Sequence, residues 1–141
     1  MPYLAKSLSA FMLLQLDQLE WPLPDIITYI PQSFLRSSLR GYNQSALLAQ
    51  ELGLLLQIPV MSLLKRTSFS LSQTLLSKEE RKRLSPDIFR CKGNAQIHKK
   101  RLLLVDDVLT TGQTVECAAR ALRTQNPAAI DVLTLMRTEM L

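Results

Sequence analysis

Residues Arg101–Thr114 read RLLLVDDVLTTGQT, and this stretch determines both the predicted fold and the predicted site. Its apolar run Leu102–Val105 is continuous and is flanked by charge, which is typical of a central parallel strand buried on both faces. Two acids follow that run, and a Thr-Thr-Gly-Gln-Thr turn follows two residues later. After the glycine, apolar residues recur at three- and four-residue spacing, which predicts a helix. A buried strand, a polar turn and a helix are therefore expected in succession.

Strands and helices alternate along the rest of the chain. Short β-branched or apolar runs predict strands at 25–30 and 129–136, and residues 58–61 predict the beginning of another. Helices are predicted over Ser7–Glu20 and Asn43–Gln57, with Asn43 as the N-cap of the second. The alternation predicts an α/β fold with a parallel sheet flanked by helices.

The segment Arg66–Lys100 has no clear apolar period, and only Lys78–Leu84 within it predicts a helix. We expect a mobile loop or a hairpin arm there. A chain of 141 residues with 47% hydrophobic residues suits one domain. We divide it into an N-terminal helical segment, 1–24, packed on the core, and a main domain, 25–141.

Composition excludes several classes of protein. No apolar run reaches the ~18 residues that a membrane span needs, and the first residues lack the pattern of a secretory signal, so a cytoplasmic protein is expected. Cys91, Cys117 and His98 stand far apart without metal-ligand spacing, so neither a zinc site nor a histidine mechanism is predicted. P-loop and dinucleotide-binding glycine motifs are absent. The net charge of +5 suits an anionic partner without identifying it.

The acids and the turn after the apolar run predict a site for a phosphorylated sugar. Asp106 and Asp107 repel each other unless hydroxyl donors or a cation lie beside them, and a ribose diol together with Mg²⁺ supplies both. A glycine turn at a helix N-terminus offers backbone N–H groups and hydroxyls to a phosphate. The turn residues are Thr110, Thr111, Gly112, Gln113 and Thr114. Ordinary helix-capping acids followed by a common Thr-Gly turn are the alternative interpretation.

At these residues the chain resembles the type I phosphoribosyltransferases, whose signature for 5-phosphoribosyl-1-diphosphate (PRPP) is a short apolar strand, two acids, two apolar residues and a Thr/Ser-Gly loop. Outside the signature it resembles the ComF family of phosphoribosyltransferase-like proteins associated with DNA uptake, over about Asp25–Arg137. The motifs that carry this second resemblance are Arg40-Gly41-Tyr42-Asn43-Gln44, Leu47-Leu48-Ala49, Arg66-Thr67, Gln73 and Glu80-Arg81.

The resemblance implies roles for individual residues. Asp106 and Asp107 would hold the ribose hydroxyls, and Thr110–Thr114 would hold the 5-phosphate. The turn near Tyr29-Ile30-Pro31 would face the diphosphate, and the resemblance makes Arg40 and Arg66 candidates for anion contacts. Relatives often have Pro-Val-Pro at that turn and Asn at the position of Leu84. Many also carry a cysteine-rich zinc module before the domain, which these residues do not contain.

Two functions of different classes follow from the sequence. The first is PRPP binding with Mg²⁺ and transfer of the phosphoribosyl group to an unidentified nitrogen acceptor. The second is a non-enzymatic competence protein that assists DNA uptake or processing, with single-stranded DNA or DNA-uptake proteins as partners. Its basis is a stretch rich in cations and poor in acids: Lys78, Arg81, Lys82, Arg83, Arg90, Lys92, Lys99, Lys100 and Arg101. Phe89 is the sole aromatic residue there, which argues against a dedicated platform for stacking single-stranded bases. The sequence does not determine the oligomeric state, for which a homodimer is the commonest symmetric form.

Overall fold

The computed structural model describes residues 2–32, 39, 41–67, 88–93, 96–109 and 111–138, with the backbone alone for residues 2 and 3. Within these ranges the chain forms three helices and five strands. In chain order they are α1 (Pro2–Gln18), β1 (Ile26–Tyr29), α2 (Gln44–Leu56), β2 (Leu64–Arg66), β3 (Phe89–Cys91), β4 (Arg101–Leu109), α3 (Gln113–Arg123) and β5 (Ala129–Arg137).

Strand β4 lies at the centre of a parallel sheet with the order β1-β4-β5. On one side it pairs with β1 from Ile26↔Leu102 to Tyr29↔Val105. On the other side it pairs with β5 from Arg101↔Ala129 to Leu109↔Arg137. The predicted α/β fold with a parallel sheet and a central strand is therefore confirmed.

Successive side chains of β4 face opposite sides of the sheet, as the period of a strand requires. Leu102 and Leu104 pack in one apolar cluster with residues of α3 and the β2–β3 pair, whereas Leu103 and Val105 pack in a second cluster with residues of α1 and α2. All four side chains are at most 1% exposed. The sheet is thus covered on both faces, which explains why this run is continuous rather than alternating.

Strands β2 and β3 form an antiparallel pair whose register runs from Leu64↔Cys91 to Arg66↔Phe89. Leu64 and Phe89 point inward and are buried. Strand β2 ends at the first residue of the segment Arg66–Lys100 and β3 lies within it, while the loop or hairpin arm expected between them stays a prediction. The intervening part of the arm, including the predicted helix Lys78–Leu84, lies outside the described residues.

The prediction that a strand begins at residues 58–61 is wrong. This segment makes a single parallel bridge, Ile27↔Val60, to the edge of β1, where Ile27 N–H donates to Pro59 O and Met61 N–H donates to Ile27 O. Pro59 has no N–H with which to continue a ladder. Gly53 of α2 contacts this segment so closely that a Cβ there would clash with Val60.

The predicted end of β4 also needs correction, because the strand continues four residues past Val105 and includes both acids. Pairs such as Asp106↔Thr134 and Val108↔Met136 keep the backbone of this extension bonded to β5. Since β1 pairs only as far as Val105, the extension has one strand neighbour instead of two among the described residues. The acids therefore lie beyond the carboxyl end of β1 although they are still in a strand.

Helix α1 packs on α2 and contributes the buried side chain of Met12, which is 1% exposed, to the cluster beneath it. It begins five residues before the predicted start at Ser7, and a turn at residues 19–20 precedes the proline-containing link to β1. The division into segments 1–24 and 25–141 stays a prediction. None of the helices in the described ranges is long and apolar enough to cross a membrane.

Candidate functional site

The candidate site lies where β4 extends beyond the carboxyl end of β1. Asp106 is the first residue of β4 beyond the β1 pairing, and Asp107 follows it. The first turn of α2 lies close to Asp106, as shown by the hydroxyl of Ser45, which donates to Asp106 Oδ1 over 3.1 Å. In open α/β sheets ligands bind at such carboxyl ends, where a crevice forms beyond the strands.

Asp106 is the buried member of the acid pair, with 8% of its surface exposed. Its Oδ1 also accepts from the backbone N–H of Asp107 at 2.9 Å. Burial raises the pKa of this carboxyl to about 6, the N–H bond from Asp107 lowers it, and the adjacent carboxylate raises it again. Two donors to one oxygen fix the orientation of the Asp106 side chain.

Asp107 is the more accessible acid and is half-buried. Its Oδ1 accepts from the backbone N–H of Val108 at 2.9 Å. The carboxylate of each acid therefore accepts from the backbone N–H of the next residue. Neither acid makes an ion pair within the described part of the chain. Carboxylates placed in this way can accept hydrogen bonds from sugar hydroxyls through their remaining lone pairs.

The turn after β4 leads directly into α3, as predicted. Gly112 is the N-cap with φ 81°, a left-handed conformation that a side chain would strain, and it offers no side-chain cap. Thr111 Oγ1 accepts from the N–H of Gln113 over a long 3.4 Å, so one predicted phosphate donor already has a weak partner inside the protein. Thr114 lies in the first turn of α3, where backbone N–H groups have no intrahelical acceptor. Thr110 lies outside the described residues.

The turn after β1 is held by side chains from two other parts of the chain. Asn43 Nδ2 donates to Ile30 O at 3.2 Å, and Arg66 Nε donates to Pro31 O at 2.9 Å. The guanidinium of Arg66 also lies over the ring of Phe89, 5.0 Å from its centroid. Arg66 is therefore beside the turn to which the family resemblance gives the diphosphate, whereas Arg40 lies outside the described residues.

Two residues with a part in this site have roles that the sequence did not reveal. Asn43 was predicted as a helix cap, which the bond from Ala46 N–H to its Oδ1 confirms, but its second bond to the turn after β1 was not predicted. Ser45 was not predicted at all, because a serine within a helix carries no signal that it contacts a distant acid. A polar residue in the first turn of a helix near a strand end is the one clue that the sequence offered.

The remaining polar candidates lie apart from the site. His98 is in an exposed turn, and burial raises the pKa of the thiols of Cys91 and Cys117. Among the described residues no group of three His, Cys, Asp or Glu side chains could hold a metal ion. A cavity of about 310 Å³ lies at the end of α1 and has a mainly apolar lining that includes Leu16, Trp21 and Leu103. It brings together none of the candidate residues.

A helix-flanked parallel sheet with paired acids at the end of its central strand and an antiparallel strand pair beside it is the architecture that the resemblance to type I phosphoribosyltransferases predicts. Residues 41–139 match the phosphoribosyl transferase domain family, and the chain belongs to that family. Its structure is similar to that of glutamine PRPP amidotransferase from Bacillus subtilis, with a TM-score of 0.60 at 20% identity over 91% of this chain and 25% of the other.

Curated relatives confirm the resemblance to the ComF family. The chain is similar to competence protein F of Haemophilus influenzae, with 34% identity over 117 residues, and to the DNA utilization protein YhgH of Escherichia coli, with 38% identity over 117 residues. Each alignment covers 82% of this chain and 51% of the relative. The chain thus spans about half the length of the curated relatives it matches.

Proposed function

We propose that the end of β4 binds PRPP together with Mg²⁺, with the ribose at the acids and the 5-phosphate at the turn into α3. The observation that carries this proposal is the arrangement of Asp106, Asp107 and the Gly112 turn along one strand end, beyond the last residue of β4 that pairs with β1. Membership of the phosphoribosyl transferase domain family supports the same ligand class.

The two acids have different parts in this proposal. Asp107 is the more exposed carboxylate and accepts from the ribose hydroxyls through the lone pairs that the bond from Val108 N–H leaves. The side chain of Asp106 is held by the hydrogen bond from Ser45, and its carboxylate adds a second negative charge beneath the sugar. The 5-phosphate accepts from the turn residues Thr110, Thr111, Gly112, Gln113 and Thr114.

The diphosphate end of the ligand belongs at the turn after β1. Arg66 lies beside this turn and supplies a positive charge, and Arg40 is the second proposed anion contact. The carboxylate oxygens at the site are ligands that suit Mg²⁺. Within the described ranges no three such side chains form a cluster that could hold a metal ion. These residues therefore suit a metal ion that arrives with the ligand. Bound there, Mg²⁺ would lie near Asp106 and Asp107 and offset the charge of the diphosphate.

The reaction that suits this arrangement is transfer of the phosphoribosyl group to a nitrogen acceptor. The C1–O bond of the ribose breaks, the diphosphate leaves with the electron pair, a C1–N bond forms, and the acceptor nitrogen loses a proton. Positive charge develops on the ribose as the bond lengthens, and the carboxylates of Asp106 and Asp107 stabilise it. Diphosphate release in the presence of candidate bases would identify the acceptor.

Thermal unfolding tests the ligand. PRPP with Mg²⁺ at 100 times its Kd should stabilise the unmodified protein by about 2.7 kcal/mol, and the double variant Asp106→Asn plus Asp107→Asn should lose this stabilisation. A chain that melts at the same temperature with and without the ligand would contradict the proposal. Asp131→Asn is the matched control, because Asp131 pairs with Arg101 at the opposite end of β4.

A second candidate function, binding of single-stranded DNA, rests on the outer face of the β2–β3 pair. Lys65 and Arg90 are exposed and lie directly opposite each other in its register. Like charges opposite each other destabilise a strand pair unless an anion lies over them, and exposed Lys92 follows two residues later. A phosphate backbone is an anion of the required extent, and the names of the relatives from Haemophilus influenzae and Escherichia coli fit this partner.

A gel shift with single-stranded DNA in rising salt tests this second function. Lys65→Glu plus Arg90→Glu should weaken binding and reduce the slope of log affinity against log salt by about 1–2. Arg120→Glu is the control, because Arg120 lies on α3 beside Glu116. Binding that ignores both salt and the charge reversal on the hairpin would eliminate the idea.

A further inference from the structure

The turn after β1 has its backbone carbonyls held by side chains rather than by a strand partner. Ile30 N–H makes the last sheet bond, to Val105 O at 3.1 Å. The next two carbonyl oxygens, of Ile30 and Pro31, accept from Asn43 Nδ2 and from Arg66 Nε. Two consecutive peptides are therefore oriented by residues 13 and 35 positions away in the chain.

This pattern determines which way the following amide points. In a planar trans peptide the C=O and the N–H point in opposite directions, and the described peptides contain no cis bond. Because Arg66 holds Pro31 O, the N–H of Gln32 is directed away from Arg66. Pro31 has no N–H of its own, so Gln32 supplies the first backbone donor after those that the sheet uses.

Both holding side chains are themselves fixed by a second contact. The Oδ1 of Asn43 accepts from Ala46 N–H at 3.1 Å and caps α2. The guanidinium of Arg66 is half-buried over Phe89, its partner in the β2–β3 register. A side chain held at two points loses little further entropy when it orients a backbone group, so this turn is preorganised before any ligand arrives.

The turn also contains an unused acceptor. Gln32 Oε1 is the one buried side-chain oxygen or nitrogen in the described part of the chain that has no hydrogen-bond partner. A buried acceptor without a donor costs about 1–3 kcal/mol. A donor such as a water molecule bound with the ligand would remove that cost, whereas diphosphate oxygens, which accept, would not.

We infer that Asn43 and Arg66 are positioning residues that hold the turn after β1 so that the backbone N–H of Gln32 is presented to the diphosphate of PRPP. The inference rests on the proposed function. It gives Arg66 a role that depends on the direction of its Nε–H, in addition to its charge. It also assigns Asn43 to ligand binding, whereas its cap alone would make it a residue of helix stability.

Conservative variants separate these roles. Arg66→Lys keeps the positive charge and removes the planar Nε–H donor. Asn43→Ser keeps a good N-cap but is too short to reach Ile30 O, while Asn43→Ala removes both contacts. Arg90→Lys is the matched control for Arg66→Lys, because Arg90 lies on the exposed face of the same strand pair.

Calorimetric titration of the full chain with two probes provides the readout. Arg66→Lys and Asn43→Ser should each weaken binding of PRPP with Mg²⁺ by about fivefold to tenfold, the loss expected for one hydrogen bond. Binding of ribose 5-phosphate, which lacks the diphosphate, should change by less than about twofold. Asn43→Ala should weaken PRPP binding as much as Asn43→Ser does, and it alone should lower the melting temperature appreciably.

Each result bears on one idea. PRPP affinities of Arg66→Lys and Asn43→Ser equal to that of the unmodified protein would overturn the positioning roles while the proposed function stands. An equal loss for PRPP and for ribose 5-phosphate would also overturn them, because the effect would then not be local to the diphosphate. An unmodified protein that binds neither probe would overturn the proposed function and this inference together.

Discussion

The two halves of β4 share an extended backbone conformation, but the side chains of the first half are apolar whereas the second half carries two acids. Leu102–Val105 has a strand on each side and a layer of helices or hairpin on each face, and it is buried among apolar side chains. Asp106–Leu109 pairs with β5 alone within the ranges that the structure describes, and it carries both acids. The change falls at Tyr29↔Val105, the last pair with β1.

The difference shows how a short strand creates a site. Because the pairing with β1 ends at Tyr29, the backbone of β4 beyond that point is held in place by β5. The backbone that carries the acids is therefore held in place, with Asp106 buried and Asp107 partly exposed. The first half of β4 should consequently govern stability and the second half should govern ligand binding, and the following variants test that separation.

The largest effect is expected in the apolar half. Leu104→Ala removes a fully buried side chain and should lower the free energy of unfolding by about 3–4 kcal/mol. PRPP affinity measured well below the melting temperature should stay within about twofold. Urea unfolding gives the first quantity and calorimetry the second, with Leu104→Met as the volume-conserving control. A loss of stability under about 1 kcal/mol would show that this half is not the tightly packed core.

The next effect is expected at the accessible acid. Asp107→Asn should weaken binding of PRPP with Mg²⁺ by roughly 30-fold, about 2 kcal/mol, because hydrogen bonds to a charged acceptor contribute about 1.5–3 kcal/mol. The free energy of unfolding should change by no more than about 0.5 kcal/mol. Asp131→Asn is the control at the other end of the sheet. Unchanged affinity in Asp107→Asn would place the ribose elsewhere.

A smaller effect, of opposite sign for stability, is expected at the buried acid. The pKa of Asp106 is raised to about 6, mainly by burial, so the folded state bears the cost of the charged form above that pH. This cost is relieved as the pH falls from above 6 towards about 4, the ordinary range of an aspartate.

Asp106→Asn should therefore be more stable than the unmodified protein at pH 7.5, by about 1–2 kcal/mol, while it binds PRPP more weakly. The difference in stability between the two proteins should shrink as the pH is lowered to 4. Urea unfolding at several pH values measures it. A difference that grows as the pH falls would have the wrong sign for a raised pKa and would contradict the assigned burial.

The smallest effect is expected at the turn into α3. Gly112 has φ 81°, and there is room for a Cβ, whose nearest neighbour would be Leu109 Cδ1 at 3.9 Å. Gly112→Ala should therefore cost about 1 kcal/mol through backbone strain alone. Thermal unfolding checks this, with Gly93→Ala as the control at a glycine without a positive φ and with open space. Equal losses in the two variants would remove the special role of Gly112.

Sequence alone predicted the parts of this molecule that depend on local pattern. The apolar run of β4 shows burial on both faces, the glycine after it marks the start of α3, and Asn43 marks the start of α2. The end of β4 could not be predicted in the same way, because Asp106 and Asp107 are poor strand formers. Pairing of Asp106, Val108 and Leu109 with β5 keeps this stretch in the strand. Pairing with a distant segment overrides local preference.

The site was predictable where the ligand chemistry lies in consecutive residues, and unpredictable where it depends on contacts across the chain. The acids and the turn lie within a dozen residues of sequence, so their combination is visible. The bond of Ser45 to Asp106 spans 61 positions, and those of Asn43 and Arg66 to the turn after β1 span 13 and 35. Only the folded chain brings these groups together.

A crystal structure with ribose 5-phosphate bound tests the central claim most directly. The account predicts ribose hydroxyls within about 2.5–3.0 Å of the Asp107 carboxylate and phosphate oxygens within about 2.7–3.2 Å of backbone N–H groups in the turn at Gly112. A sugar phosphate found elsewhere, or one whose phosphate lies at the acids and whose hydroxyls lie at the turn, would contradict it.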